Sequence, residues 1–362
     1  MSRRTRIRRA LFLVLAVLVL AALFFPPVRV EGDSMEPALL AGDRLLLVPP
    51  ALRAPRRFDL VVVAEPDTGK AAVKRVAGLP GERIQLIEDD LFVDGRRLVR
   101  PVRGIRDLVP LYDLSEARAE EVFKLAEGGF HLAGGAWELD GPGEAWMRTP
   151  PMDGYRTDGK HVEGRRPATD LGIEAAFRMQ AAGAHFGVFI REDAEQFALV
   201  LEDGGRSASL FRGGRPRVLL DRRELSPPAA RGRLFLSNHD RTLTTALDGR
   251  PLFEPLSYVL AEERPMKNAP PGFHAVQVGF GGGGPLAVEE IRVGRDLVAD
   301  PAGTYACGQV LQLGREEYFL LGDNHHASRD SRQYGAVSGE RLQGVVVGRL
   351  WPPGSIGLGW GH

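Results

Sequence analysis

Hydrophobic and polar positions are fully separated at the start of the chain. Residues 1–9, "MSRRTRIRR", carry five arginines and no acid, and residues 10–25, "ALFLVLAVLVLAALFF", are apolar at all sixteen positions. As a helix this run spans about 24 Å at about 1.5 Å per residue, and the residues from Pro26 to Val28 extend it toward the roughly 30 Å of a bilayer core. The pattern predicts a transmembrane anchor over 10–27 that keeps the basic head 1–9 in the cytoplasm and sends the rest of the chain to the outer face. A cleavable export signal would be followed by small residues at alternate positions, whereas "FFPPVRVEG" follows here, so the anchor is expected to be retained.

Past the anchor the pattern becomes that of strands. "RLLLV", "DLVVVAE" and "KAAVKRVAG" are short β-branched or leucine-rich runs punctuated by Pro, Gly and Asp, and "RIQLIEDDLFVDGRRLVRPV" reads as a hairpin with Asp94-Gly95 at its turn. "EYFLLGD" and "GVVVGRLWP" near the C-terminus have the same texture. Between these ends, 104–303 differs. It opens with an expected helix over about 114–127, "LSEARAEEVFKLAE", in which Ser115 can cap and Gly128-Gly129 can stop. Over about 130–300, eight or more alternating runs follow, among them "LGIEAAFRM", "HFGVFIRE", "QFALVLED" and "LAVEEIRVGRDL". Their roughly ten-residue spacing predicts a jelly-roll-like β-sandwich inserted into the first domain, whose halves are 28–103 and 304–362. The fold class is therefore mostly β, with one N-terminal transmembrane helix.

Composition narrows the function classes. Lys+Arg and Asp+Glu are both 47 in 362 residues, so no nucleic-acid partner is expected. The single cysteine, Cys307, excludes an intramolecular disulfide and a metal cage built from cysteines.

Three stretches can carry chemistry. "EGDSMEPALLAGD" presents Ser34 in a polar turn, which by itself is ordinary turn composition. "AAVKRVAGLPGERI" places Lys74 inside an apolar run, where burial lowers a lysine's pKa from about 10.4 and makes its amine available as a base. The bland alternative is a lysine facing solvent on an edge strand. "FLLGDNHHASRDSRQYG" follows an apolar strand. In it Ser328 can orient a neutral amine, and Asp330 can pair with Arg332 or with Arg75. A metal site would use Asp323, His325 and His326. Adjacent histidines on an extended segment point to opposite faces, so no metal is expected, and no cofactor.

Together, the basic head, the single span, "GDSMEP", "KRVAGLPGE" and "GDNHHASRDSR" resemble bacterial type I signal peptidases in motif order and, apart from the insertion, in spacing. The resemblance covers the anchor, 28–103 and 304 to the end. It implies a serine endopeptidase of the bacterial inner membrane, facing outward, that removes signal peptides from pre-proteins emerging from the export machinery after small-x-small sites. It implies Ser34 as nucleophile, Lys74 as general base and Ser328 as the residue hydrogen-bonded to the lysine. It further implies a structural salt bridge between Asp330 and Arg332, with Arg75, Asp323 and Asn324 in support and the Ser34 N–H as oxyanion donor. Gly32, Met35, Ala72 and Val73 are the substrate-cleft candidates. Gly32 stands where some members carry a hydroxyl donor, Ala38 where threonine is usual and Glu82 where aspartate is usual.

The insert resembles concanavalin-like or laminin-G-like sandwiches more loosely, which implies a carbohydrate or protein ligand. Trp137 and Trp146 are expected in its core. Two rivals use the same features. A self-cleaving Ser/Lys repressor needs a DNA-binding head where this chain has an apolar span. A tethered binding protein with a vestigial peptidase has no reason to keep Ser34, Lys74 and Ser328 together.

Overall fold

The computed structural model describes residues 27–87, 90–114, 119–125, 130–133, 136–157, 160–193, 195–213, 217–259, 276–297 and 301–352. The expected membrane helix lies, but for Pro27, outside these residues. Among them no helix is long and apolar enough to cross a membrane. The described chain is mostly β and divides into two units, one of residues 1–96 and 299–360, the other essentially of 97–298.

In the first unit seven antiparallel strands run in the order Val28–Arg29, Arg44–Val48, Leu342–Trp351, Leu60–Ala64, Ala71–Gly78, Glu317–Leu321 and Val337–Ser338. "LVVVA" has no alternation because both of its faces are covered. Leu60 and Val62 pack with Met35, Leu39 and Leu45, while Val61 and Val63 pack with Val76, Leu320 and Val345. In the hairpin that follows, Asp94 (φ 51°) and Gly95 (φ 77°) both take the left-handed geometry a primed two-residue turn requires.

The second unit is a sandwich. A nine-stranded sheet centred on Leu171–Met179, Arg231–His239 and Leu286–Arg295 faces a seven-stranded sheet centred on His185–Glu192, Glu195–Glu202 and Val276–Gly283. Alternate residues from each sheet fill the space between them. Phe177 from one stacks on Phe186 from the other, with ring centroids 4.9 Å apart. Each fully buried side chain of this kind contributes about 1.5–3 kcal/mol of transfer free energy.

Two features differ from the sequence pattern. Residues 97–103 go with the sandwich because Val102 and Leu108 pack on Phe235 and Ala246, and Arg100 forms a buried ion pair with Asp296. Of the helix expected over 114–127, residues 115–118 and 126–127 lie outside the described residues, and among the described ones the expectation fails at Leu114 and at Phe123–Leu125. Val109–Leu114 is a strand, Ala119–Val122 is helical, and Phe123–Leu125 is again a strand. Phe123 is fully buried in the sandwich core, so tertiary packing overrides a helix-favouring composition.

Candidate active site

Lys74 sits in the strand Ala71–Gly78, opposite Val61 and two residues before Val76, and is 2% exposed. Burial lowers its pKa from the ordinary 10.5. Asp330 and then Glu65 pull the other way, since a nearby carboxylate favours the ammonium. The net effect is downward, toward a neutral amine.

Two hydroxyls flank that amine. Lys74 Nζ lies 3.3 Å from Ser34 Oγ and 3.3 Å from Ser328 Oγ. Ser34 is half-buried in the turn that leads from Val28–Arg29 into the apolar cluster of Met35 and Leu39. Gly32 in that turn has φ +80°, so its lack of a side chain has a backbone reason.

The loop from Gly322 to Asp330 joins these pieces. Asn324 donates its backbone N–H to Ser34 O at 3.0 Å and its side-chain amide to Asp33 O at 3.1 Å. Gly322 allows the approach. A Cβ there would lie 2.1 Å from Ser328 Oγ, 2.4 Å from Ser328 Cβ and 2.7 Å from Ser34 O. Asp330, wholly buried, pairs with Arg332 at 2.8 Å, accepts the Gly322 N–H at 2.9 Å and caps the short helix Ser331–Tyr334. Arg332 in turn donates to His325 O at 3.1 Å. Arg75, on the other face of its strand from Lys74, pairs with Asp323 (Nε to Oδ1 2.6 Å) and donates to Phe58 O at 2.7 Å. Asp330 therefore takes Arg332, and Arg75 takes Asp323.

The other positions fall as follows. Met35 and Val73 are buried in one apolar cluster, whereas Gly32 is exposed and Ala72 half-buried. Glu82 accepts the Leu79 N–H at 2.7 Å and pairs with Arg57, so glutamate closes its turn without strain. The geometric premise for the two histidines is corrected. They lie in a turn rather than an extended segment, and their rings meet with centroids 3.9 Å apart. Sequence reasoning gave no role to Glu65 as an electrostatic neighbour of the lysine, or to Gly322 as the residue that admits Ser328.

The family model described as signal peptidase, peptidase S26, matches residues 3–127 and 293–351, half of the chain. The chain belongs to this signal peptidase family. The stretch the family model leaves unmatched, 128–292, lies inside the sandwich unit. Among curated members, signal peptidase I of Streptococcus pneumoniae is 42% identical over 91 residues, 25% of this chain and 43% of that protein. Signal peptidase I V of Bacillus subtilis is 40% identical over 90 residues, 24% of this chain and 52% of that protein. The chain thus spans about half the length of the curated relatives it matches. Among solved structures, a signal peptidase I from Enterococcus faecalis aligns over 82% of this chain and 98% of that one, with 13% identity and TM-score 0.24. The carbohydrate binding module CBM66 from Bacillus subtilis aligns over 46% and 90%, with 9% identity and TM-score 0.33. At such scores neither structural likeness bears on the assignment.

Proposed function

We propose that the protein is a membrane-anchored serine endopeptidase that removes N-terminal signal peptides from exported pre-proteins after small-x-small sites. The observation that carries this reading is one buried lysine amine, 3.3 Å from each of two serine hydroxyls, in a chain of the signal peptidase family. Lys74, its pKa lowered by burial, takes the proton of Ser34 in its neutral form as Oγ attacks the scissile carbonyl carbon. The resulting ammonium returns the proton to the leaving amine, and water then hydrolyses the acyl-enzyme by the same route. Ser328 fixes the amine's direction. The backbone N–H of Ser34 stabilises the oxyanion; among the described residues nothing else accepts it. The substrate lies extended beside Gly32, Met35 and the stretch from Ala72 to Lys74, pairing with the side of that stretch that Glu317–Leu321, which reaches only Arg75 to Gly78, leaves open.

Residues 10–27 act as the retained anchor, with the basic head in the cytoplasm of a bacterium and both units on the outer face of the inner membrane. The sandwich, inserted within the peptidase, serves as a carbohydrate- or protein-binding module. The test is cleavage of a pre-protein by the detergent-solubilised full chain. Ser34→Ala and Lys74→Ala are each expected to abolish it while circular dichroism stays that of the folded chain. Wild-type-like cleavage by either variant rejects the mechanism.

A further inference from the structure

Ser34 lies between two peptide units, and one residue holds the carbonyls of both. Asn324 donates its backbone N–H to Ser34 O at 3.0 Å and its side-chain amide to Asp33 O at 3.1 Å. A backbone carbonyl can only accept, so the amide nitrogen of Asn324 is the atom that faces Asp33 O. The Glu36 N–H reaches the same oxygen at 3.0 Å and closes the turn from Asp33 to Glu36. Asp33 O therefore takes one donor from its own turn and one from a residue 291 positions away.

That carbonyl belongs to the peptide unit whose N–H is that of Ser34. The unit is trans, so its C=O and N–H point in opposite directions, and fixing the oxygen fixes the N–H and turns it away from Asn324. Hydrogen bonds at the oxygen also polarise the unit and strengthen its N–H as a donor, by about 10–30% per bond. Among the described residues nothing accepts the Ser34 N–H, and Gly32, two positions earlier, has no side chain to donate beside it. A lone donor at a developing charge depends on its aim. Asn324 is itself held fast. It is 8% exposed, its carbonyl accepts the Ala327 N–H at 3.0 Å, and Asp323 before it is tied to Arg75 by a buried ion pair with Nε to Oδ1 at 2.6 Å.

We propose that Asn324 is a positioning residue for the oxyanion donor: its amide, bonded to Asp33 O, aims and polarises the Ser34 N–H toward the substrate oxygen on which negative charge develops. The proposal rests on the reading of Ser34 as the nucleophile. Asn324 acts in the step where Ser34 Oγ bonds to the carbonyl carbon, the π electrons of the carbonyl move onto its oxygen and the Oγ proton passes to Lys74. A clamp that only held the turn together would act on stability, on KM and on the reach of the lysine. A clamp on the oxyanion donor acts on the tetrahedral species.

The test uses the full chain in detergent, a pre-protein substrate, and a peptide aldehyde ending in alanine and isotopically labelled at its aldehyde carbon, which adds to Ser34 Oγ as a hemiacetal. Asn324→Leu keeps the branched shape and the backbone N–H, adds no charge and removes the amide donor. It is expected to lower kcat at least about tenfold with KM within about twofold, and to leave in place the acidic limb of the kcat/KM profile, which reports Lys74. In the adduct, the hemiacetal oxyanion, followed by the chemical shift of the labelled carbon, is expected to form at a pH about one higher than in wild type, the same tenfold read on the bound species. Only folded, adduct-bearing protein gives that signal, so partial unfolding does not mimic it. Asn324→Ala removes the donor in a smaller side chain and is expected to show the same two changes. Wild-type kcat in either variant, a lower kcat with the adduct's ionisation unmoved, or a displaced acidic limb each overturns the positioning role and leaves Ser34 and Lys74 in theirs. Cleavage by Ser34→Ala overturns the nucleophile reading and this role with it.

Discussion

Replacing Gly322 by alanine is the smallest change that tests how the site is assembled. The added Cβ would lie 2.1 Å from Ser328 Oγ, and ordinary contact begins near 3.4 Å, so Ser328 must retreat by about 1.3 Å if it alone moves. Taken away from the lysine, that displacement carries the 3.3 Å separation between Lys74 Nζ and Ser328 Oγ beyond hydrogen-bond reach. The same Cβ presses on Ser34 O, the acceptor of the Asn324 N–H, so the Ser34 turn is disturbed as well. An overpacked contact of this kind costs about 1–3 kcal/mol in stability, and a misplacement of about 1 Å at a reacting group costs about a hundredfold in rate. The expected result for Gly322→Ala is a folded protein with a lower unfolding midpoint and roughly a hundredfold lower kcat/KM for pre-protein cleavage, carried mainly by kcat. The double variant Gly322→Ala with Ser328→Gly removes both clashes with Ser328. It is expected to recover part of the stability and none of the activity. Wild-type kcat in the single variant, or activity returning together with stability in the double variant, refutes the proposed role of Ser328 in directing the amine.

Three further outcomes follow from the same geometry. Burial holds the Lys74 pKa below its unfolded value of 10.5, so the folded chain binds that proton less well than the unfolded chain does; the resulting penalty is present at neutral pH and disappears as pH rises to 10.5. Lys74→Met is therefore expected to be inactive yet to unfold at a higher temperature than wild type at pH 7, with the gap closing toward pH 10.5; a lower midpoint at pH 7 contradicts the buried-amine account. Glu65 favours the ammonium form, so Glu65→Gln is expected to move the acidic limb of the kcat/KM profile to lower pH, and a shift to higher pH counts against it. Arg332→Ala leaves the carboxylate of Asp330 buried without its partner and is expected to cost about 3–5 kcal/mol by denaturant unfolding, with a cost under about 1 kcal/mol as the refuting result.

Much of the strand content was legible because burial of one face imposes a period of two. "LGIEAAFRM" and "HFGVFIRE" coincide with the strands Leu171–Met179 and His185–Glu192 to the residue. The helix expected over 114–127 gives way to a strand at Phe123–Leu125 for a reason no local pattern carries. Composition favours a helix there, yet the side chain of Phe123 finds the sandwich core only when its segment runs as an edge strand beside Gly143–Met147. Trp146 failed differently. Aromatic character suggested the core, while alternation, anchored by inward Ala145 and Met147, points it out.

The site divides along a similar line. Lys74 stood out because a charge inside an apolar run is costly unless burial of the amine serves a purpose, and that cost is local to one strand. Which acid pairs with which arginine was not local. Lys74 and Arg75 are adjacent and so point to opposite faces of their strand; Ser328 and Asp323, in one loop, must therefore reach opposite faces too. That divergence requires the loop to pass close against the Ser34 turn, and the passage is possible only where the chain has no Cβ. Gly322 is thus dictated jointly by Ser34 and Ser328, residues almost three hundred positions apart in the sequence, and its necessity exists only once the strand Glu317–Leu321 has paired with Ala71–Gly78. The glycine that looks like ordinary turn punctuation is the position at which Ser34, Lys74 and Ser328 are brought to one point.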